Sequence, residues 1–139
     1  MILGGERFIV STEEKWYEKY EGLPFAMFGE SPEKGIDCFN LIRHVYQQEL
    51  NINIPYVTTD FCNILDNQWY NKTQERWIDG AATLEYGWEK ITEPDIFNVI
   101  TMTIGSTNCT NHCALYVETD RILQTMDDHV SVSYTHLRA

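Results

Sequence analysis

Positive charge is scarce in this chain. Lysine and arginine total 10 against 21 aspartates and glutamates, a formal net charge of −11. A phosphate-backbone partner needs a basic patch that displaces counterions, so the composition argues against nucleic acid. Long hydrophobic runs are also missing. No stretch approaches the roughly 18 apolar residues of a membrane helix, and no membrane insertion is expected. The opening Met1-Ile2-Leu3-Gly4-Gly5-Glu6 lacks the basic region and apolar run of a secretory signal. Synthesis in the cytoplasm is therefore expected, with Cys38, Cys62, Cys109 and Cys113 kept as thiols rather than disulfides. The Asn71-Lys72-Thr73 and Asn108-Cys109-Thr110 sequons then read as chance matches. Internal repeats and low-complexity tracts are absent.

What is present suits one packed domain over residues 1–139. Hydrophobic residues make up 43% of the chain, with 4 Trp, 8 Tyr and 6 Phe to fill a core. Helical signals come first. Ser11 and Glu14 have capping-box spacing, ahead of Trp16, Tyr17 and Tyr20, and the element should stop near Gly22 and Pro24. Residues 7–10 read as a short strand or packed arm. A second helix is expected over residues 38–50, and a third over residues 60–71, with Phe61, Ile64, Leu65 and Trp69 on one face. Residues 72–93 read as loop with some helix. Strand signals follow: residues 97–104, then 112–118, a turn, 121–125, and 130–134. Helices followed by an antiparallel meander predict an α+β domain.

The most informative stretch is Gly35-Ile36-Asp37-Cys38-Phe39-Asn40-Leu41-Ile42-Arg43-His44-Val45-Tyr46. Residues 38, 41, 42, 45 and 46 trace one helix face. Asp37 is a cap residue, so Cys38 falls in the first turn. The helix dipole and unpaired N–H groups there favour the thiolate, the form that attacks carbonyls. A small buried core thiol is the alternative reading of Cys38.

A thiol nucleophile needs a base, and the base an orienting partner. His44 lies on the same helix and points away from the cysteine's face. His129 and His136 lie near the C-terminus. His112 opens a strand after a polar turn, and Gln124 lies on the neighbouring strand, where its amide oxygen can accept the imidazole N–H. Cys38, His112 and Gln124 are the candidate catalytic residues.

These segments resemble the NlpC-type cell-wall cysteine peptidases, most closely the branch found in phage tail-assembly proteins. The resemblance rests on Leu23-Pro24-Phe25-Ala26-Met27-Phe28-Gly29, residues 35–46, Pro55, Asn111-His112-Cys113-Ala114-Leu115-Tyr116-Val117 and Ile122-Leu123-Gln124-Thr125. It implies a papain-like fold, with the cysteine at a helix N-terminus packed on a C-terminal antiparallel sheet. It implies Cys38 as nucleophile, His112 as base and later acid, Gln124 as orienter, and the Cys38 N–H in the oxyanion site. The implied partner is a peptidoglycan stem peptide, cut near a D-γ-glutamyl bond, with phage tail proteins as further partners. No cofactor is implied.

The chain departs from the family pattern at four places, one of them Gln124, where relatives most often carry histidine. Phe39 and Asn40 stand where relatives carry Ser-Gly or Trp-Gly, Phe25 stands for a tyrosine, and Glu93-Pro94-Asp95-Ile96 replaces a Gly-Asp. These changes keep open a second reading, an inactive papain-like module that is structural or binds cell wall. A third reading is zinc held by Cys109, His112 and Cys113, although paired C-x2-C knuckles are absent and neighbouring strand residues point to opposite faces. Residues 133–139 resemble translated adaptor sequence, so the natural domain is expected to continue differently after residue 132.

Overall fold

The computed structural model describes residues 2–4, 15–55, 57–58, 88–102, 112–126 and 128–134. Its central feature is helix α1, Cys38–Leu50. Asp37 starts it: its backbone is extended (φ −87°, ψ 177°) and its carboxylate accepts the Asn40 N–H at 2.8 Å. Asn51 ends it in the left-handed region (φ 53°), which asparagine tolerates. Leu41, Ile42, Val45 and Tyr46 are buried, as the 3.6-residue period predicts. Phe39 and Asn40 are buried as well. The buried face is wider at this end because a loop covers the helix N-terminus.

Among the described residues eight short strands accompany the helix: β1 (Ile2–Gly4), β2 (Glu30–Ser31), β3 (Gly35–Ile36), β4 (Glu89–Ile91), β5 (Val99–Met102), β6 (His112–Glu118), β7 (Arg121–Met126) and β8 (His129–Tyr134). Six form one antiparallel sheet in the order β4-β1-β5-β6-β7-β8, and β2 pairs with β3 in a small hairpin. α1 packs on β6 and β7. Val99, Cys113, Leu115, Val117, Leu123 and Val130 form the core with the helix's Leu41, Ile42 and Val45. Ile100, Ala114, Tyr116 and Ile122 cluster separately, as the alternation of strand side chains requires. The architecture is α+β, as expected.

Three elements differ from the sequence reading. Only one α-helix occurs among the described residues, because Trp16–Tyr20 is a 3-10 turn rather than α-helix. Its aromatic residues are used for packing: Tyr17 and Tyr20 are buried, and Trp16 lies on Phe97 with ring centroids 4.5 Å apart. The strand expected from residue 97 begins at Val99, because Phe97 adopts positive φ (67°) and the Asn98 side chain closes a turn on the Asp95 N–H at 2.7 Å. Within the segment read as loop and helix, Glu89–Ile91 is a strand on β1. The arm at 7–10, the capping box Ser11/Glu14 and the helix at 60–71 lie outside the described residues. β8 runs on to Tyr134.

The loop before α1 is tied down from both sides. Gly22 N–H donates to Val130 O (2.8 Å), Val130 N–H to Leu23 O (2.8 Å) and Phe25 N–H to Asp128 O (3.0 Å), so residues 22–25 run along β8. Ile36 N–H donates to Pro24 O, and Gly29 O accepts both the Asp37 N–H (3.0 Å) and the Asn40 side-chain amide (2.9 Å). This contact requires glycine at position 29: an added Cβ would lie 2.2 Å from Gly35 O. Gly29→Ala should therefore cost about 3 kcal/mol through backbone displacement, read as a lower urea midpoint with an unchanged slope.

Candidate active site

Cys38 is the first residue of α1, half-buried where the helix N-terminus meets the start of β6. The Cys113 thiol and backbone N–H and the His112 side chain act on its thiol. His112 is 5% exposed, and its Nε2 lies 2.9 Å from Gln124 Oε1. An amide oxygen only accepts, so Nε2 carries the proton and Nδ1 is left to face Cys38. Gln124 Nε2 in turn donates to Ser133 Oγ at 3.0 Å, which is consistent with that amide orientation.

The strands explain how His112 and Gln124 meet. In the β6–β7 register Leu115 opposes Leu123 and Tyr116 opposes Ile122. Extending it places His112 and Gln124 diagonally on one face, and Ala114, directly opposite Gln124, is too small to block the approach. Cys113 alternates to the face that α1 covers. α1 packs on β6, and both residues act on the Cys38 thiol.

Electrostatics favour a charged pair. The Cys38 thiol is pulled well below its ordinary value, first by the Cys113 thiol, then, against the opposing effect of burial, by the hydrogen bond and charge of His112 and by the Cys113 N–H. The helix N-terminus acts in the same direction. Burial alone would depress His112, but the hydrogen bond and charge of Cys38, with the Gln124 contact, outweigh it and raise the imidazole. Both shifts act toward a thiolate beside an imidazolium.

Asp37 adds a second titrating group one residue away. Its Oδ1 accepts the Asn40 N–H (2.8 Å) and the Thr58 hydroxyl (2.9 Å), while Oδ2 is buried with no partner. Burial, with the charge of Cys38, pushes this carboxyl up to about 7, against the lowering effect of its hydrogen bonds. Between the usual carboxylate range and that value, the folded protein holds a proton that the unfolded chain has lost. Stability therefore falls as pH rises from about 4 to about 7. Asp37→Asn keeps the capping oxygen and removes this titration. Relative to wild type it should gain on the order of 3 kcal/mol between pH 4 and pH 8, read from urea unfolding at both pH values.

The structure thus brings together Cys38, His112 and Gln124. Of the other histidines, His44 is half-buried edge-on to Tyr20 and His129 is exposed at the start of β8. His136, Cys62 and Cys109 lie outside the described residues, and no group of three metal-ligating side chains gathers among the described ones. Phe39, at the position after the cysteine, is a core residue at 2% exposure. Sequence reasoning missed two neighbours of the site. Thr58 gave no signal, being one hydroxyl in an irregular segment. Cys113 was visible, but only as a strand residue or a zinc ligand.

A cysteine at a helix N-terminus, with an imidazole and an amide from the adjoining antiparallel strands, defines the papain-like class of cysteine hydrolase. The profile of the NlpC/P60 family matches residues 22–138. The chain belongs to the NlpC/P60 family. It is 26% identical over 120 residues to the gamma-DL-glutamyl hydrolase of Bacillus subtilis (strain 168), covering 84% of this chain and 24% of that protein. The crystal structure of the NlpC/p60 domain of the peptidoglycan hydrolase SagA has the same fold, with a TM-score of 0.51 and 19% identity over 84% of this chain and 80% of that one. Among the described residues no helix is long and apolar enough to cross a membrane.

Proposed function

We propose that this domain is a cysteine peptidase or amidase that hydrolyses peptidoglycan stem peptides at a γ-glutamyl bond through a thioester on Cys38. The observation that carries the reading is Cys38 as the first residue of α1, with His112, which acts on its thiol, held by Gln124 at 2.9 Å. Family membership, a relative named gamma-DL-glutamyl hydrolase and a fold match to a peptidoglycan hydrolase domain support the substrate class.

The Cys38 thiolate attacks the scissile carbonyl. The oxyanion forms beside the helix N-terminus, where the Cys38 N–H, an unpaired first-turn donor, stabilises it. The His112 imidazolium gives its Nδ1 proton to the leaving amine, and the acyl group remains on sulfur as a thioester. Neutral His112 then takes a proton from water, which attacks the thioester and releases the acid. Gln124 accepts the Nε2–H throughout, so the ring keeps one tautomer and one orientation. The finer placement, in a phage tail, is supported by the sequence resemblance at residues 23–29 and 35–46.

The test is digestion of purified sacculi and of a synthetic L-Ala-γ-D-Glu-containing stem peptide, followed by mass spectrometry. The reading requires a new amine at the γ-glutamyl bond and its loss in a Cys38→Ala variant. Intact stem peptide after prolonged incubation, with Cys38 still freely alkylated, would favour a binding module on the same fold.

A further inference from the structure

The acyl-transfer steps leave Asp37 without a chemical task, yet it directly precedes Cys38 and is only 5% exposed. Its Oδ1 is taken by the Asn40 N–H at 2.8 Å and the Thr58 hydroxyl at 2.9 Å, and its Oδ2 is buried without a hydrogen-bond partner. Capping alone does not call for a carboxyl here, since an asparagine oxygen would accept the same two hydrogen bonds. What the carboxyl adds is a proton that can come and go.

We propose that Asp37 is a positioning residue that holds a proton while Cys38 is a thiolate and releases it when Cys38 is acylated. This role presupposes the Cys38 thioester of the function proposed above.

An ionised Asp37 would bury a charge with one oxygen unpaired, beside a second negative charge on Cys38. A proton on Oδ2 removes both the buried charge and the repulsion. Among the described residues, Cys38 supplies the charge that bears on this carboxyl, in the same direction as burial. The loop packed on the helix start brings an uncharged carbonyl, Gly29 O, and its next residue, Glu30, pairs with Arg43 at 4.0 Å. Residues 57–58 bring the Thr58 hydroxyl. From β6 come His112 and the Cys113 thiol, both of which act on Cys38.

The cycle then balances as follows. The Cys38 sulfur forms a bond to the substrate carbonyl carbon, the C–N bond breaks, and the amine leaves with a proton from His112. Sulfur is uncharged in the thioester, so the repulsion is gone and Asp37 gives its proton to water. Hydrolysis breaks the S–C bond and returns the electron pair to sulfur, and Asp37 takes a proton back from water as the thiolate reforms. The proton thus offsets the charge that deacylation restores. At a pH too high for Asp37 to regain it, the carboxylate opposes the thiolate, and the acyl-enzyme is favoured over the free enzyme.

The test follows the Asp37 carboxyl by carbon-13 NMR across pH in the full chain, with Asp37→Asn identifying the resonance. Spectra are taken before and after Cys38 is capped with iodoacetamide, the capping verified by peptide mapping. The expected result is titration above the usual carboxylate range with Cys38 free, moving to lower pH once it is capped. Intact mass spectrometry during stem-peptide turnover at pH 5 and pH 8 gives the second readout. Relative to Asp37→Asn, the ratio of acylated to free wild-type enzyme should rise toward pH 8, by up to about tenfold for each pH unit between the two titration points. A capping role alone moves neither readout, because asparagine supplies the same oxygen. Titration of Asp37 in the usual carboxylate range, or at the same pH before and after capping, overturns the role. A carboxyl that moves on capping while no acyl-enzyme forms supports the coupling and removes the hydrolase reading. Failure of Cys38 to cap in the folded protein removes both.

Discussion

Cys38→Ser should lower stem-peptide hydrolysis by roughly 10⁴-fold or more while leaving the fold intact. Serine is close to cysteine in size, and Cys38 is half-buried at the edge of the core, so unfolding free energy should change by no more than about 1 kcal/mol. The chemistry changes far more. The hydrogen bonds and charge around position 38 stabilise a thiolate. A hydroxyl has a much higher intrinsic pKa, and the same surroundings cannot hold it ionised beside an imidazolium. What remains is the oxyanion donor and whatever binding the cleft provides. Circular dichroism and urea unfolding separate this outcome from misfolding. Retention of more than a tenth of wild-type activity would mean that the bond is broken elsewhere.

His112→Ala should cost about 10³-fold in hydrolysis and should move the pH profile as well. In wild type the pair widens the working range on both sides. Activity is lost at low pH when Cys38 takes a proton, and that limb lies lower than for an isolated thiol. It is lost at high pH when His112 gives up the proton owed to the leaving amine, and that limb lies higher than for an isolated imidazole. The two limbs belong to the coupled pair rather than to either residue. With alanine at position 112 the thiol loses a charge partner, and thiolate appears only at higher pH. Each unit of that rise removes about tenfold of the Cys38 reactivity at pH 6. The variant also leaves Gln124 Oε1 without its imidazole partner, a stability cost of about 1–3 kcal/mol. A fall in hydrolysis without any change in the alkylation profile would mean that His112 acts only on substrate.

How much of this was legible follows from the range of the interactions involved. α1 could be read to the residue because its determinants are local: the Asp37 cap, the apolar period and the Asn51 stop. β6 and β7 were legible for a similar reason, since the hairpin joining them is short and turns at Asp120 with positive φ. Their register then carried the His112–Gln124 pairing. β1 and β4 were not legible. Three residues each hold no period, and their pairing spans most of the chain. The expected helix through Tyr20 became a 3-10 turn because its aromatic residues pack in several directions rather than on one face. At the site, strand alternation placed Cys113 opposite His112 and hid that both act on Cys38. Such effects depend on where a helix packs along a strand, which no local pattern encodes. Thr58 reaching Asp37 from 21 residues away is a second case.

The most direct test of the central claim is the rate of Cys38 alkylation by iodoacetamide from pH 4 to pH 9, in wild type and His112→Ala, read by peptide mass spectrometry. A thiolate–imidazolium pair predicts selective, fast labelling of Cys38 already at pH 6 in the wild type. It also predicts a shift of that profile to higher pH in the variant. Labelling of Cys38 only after unfolding, or an identical profile in both proteins, would contradict it.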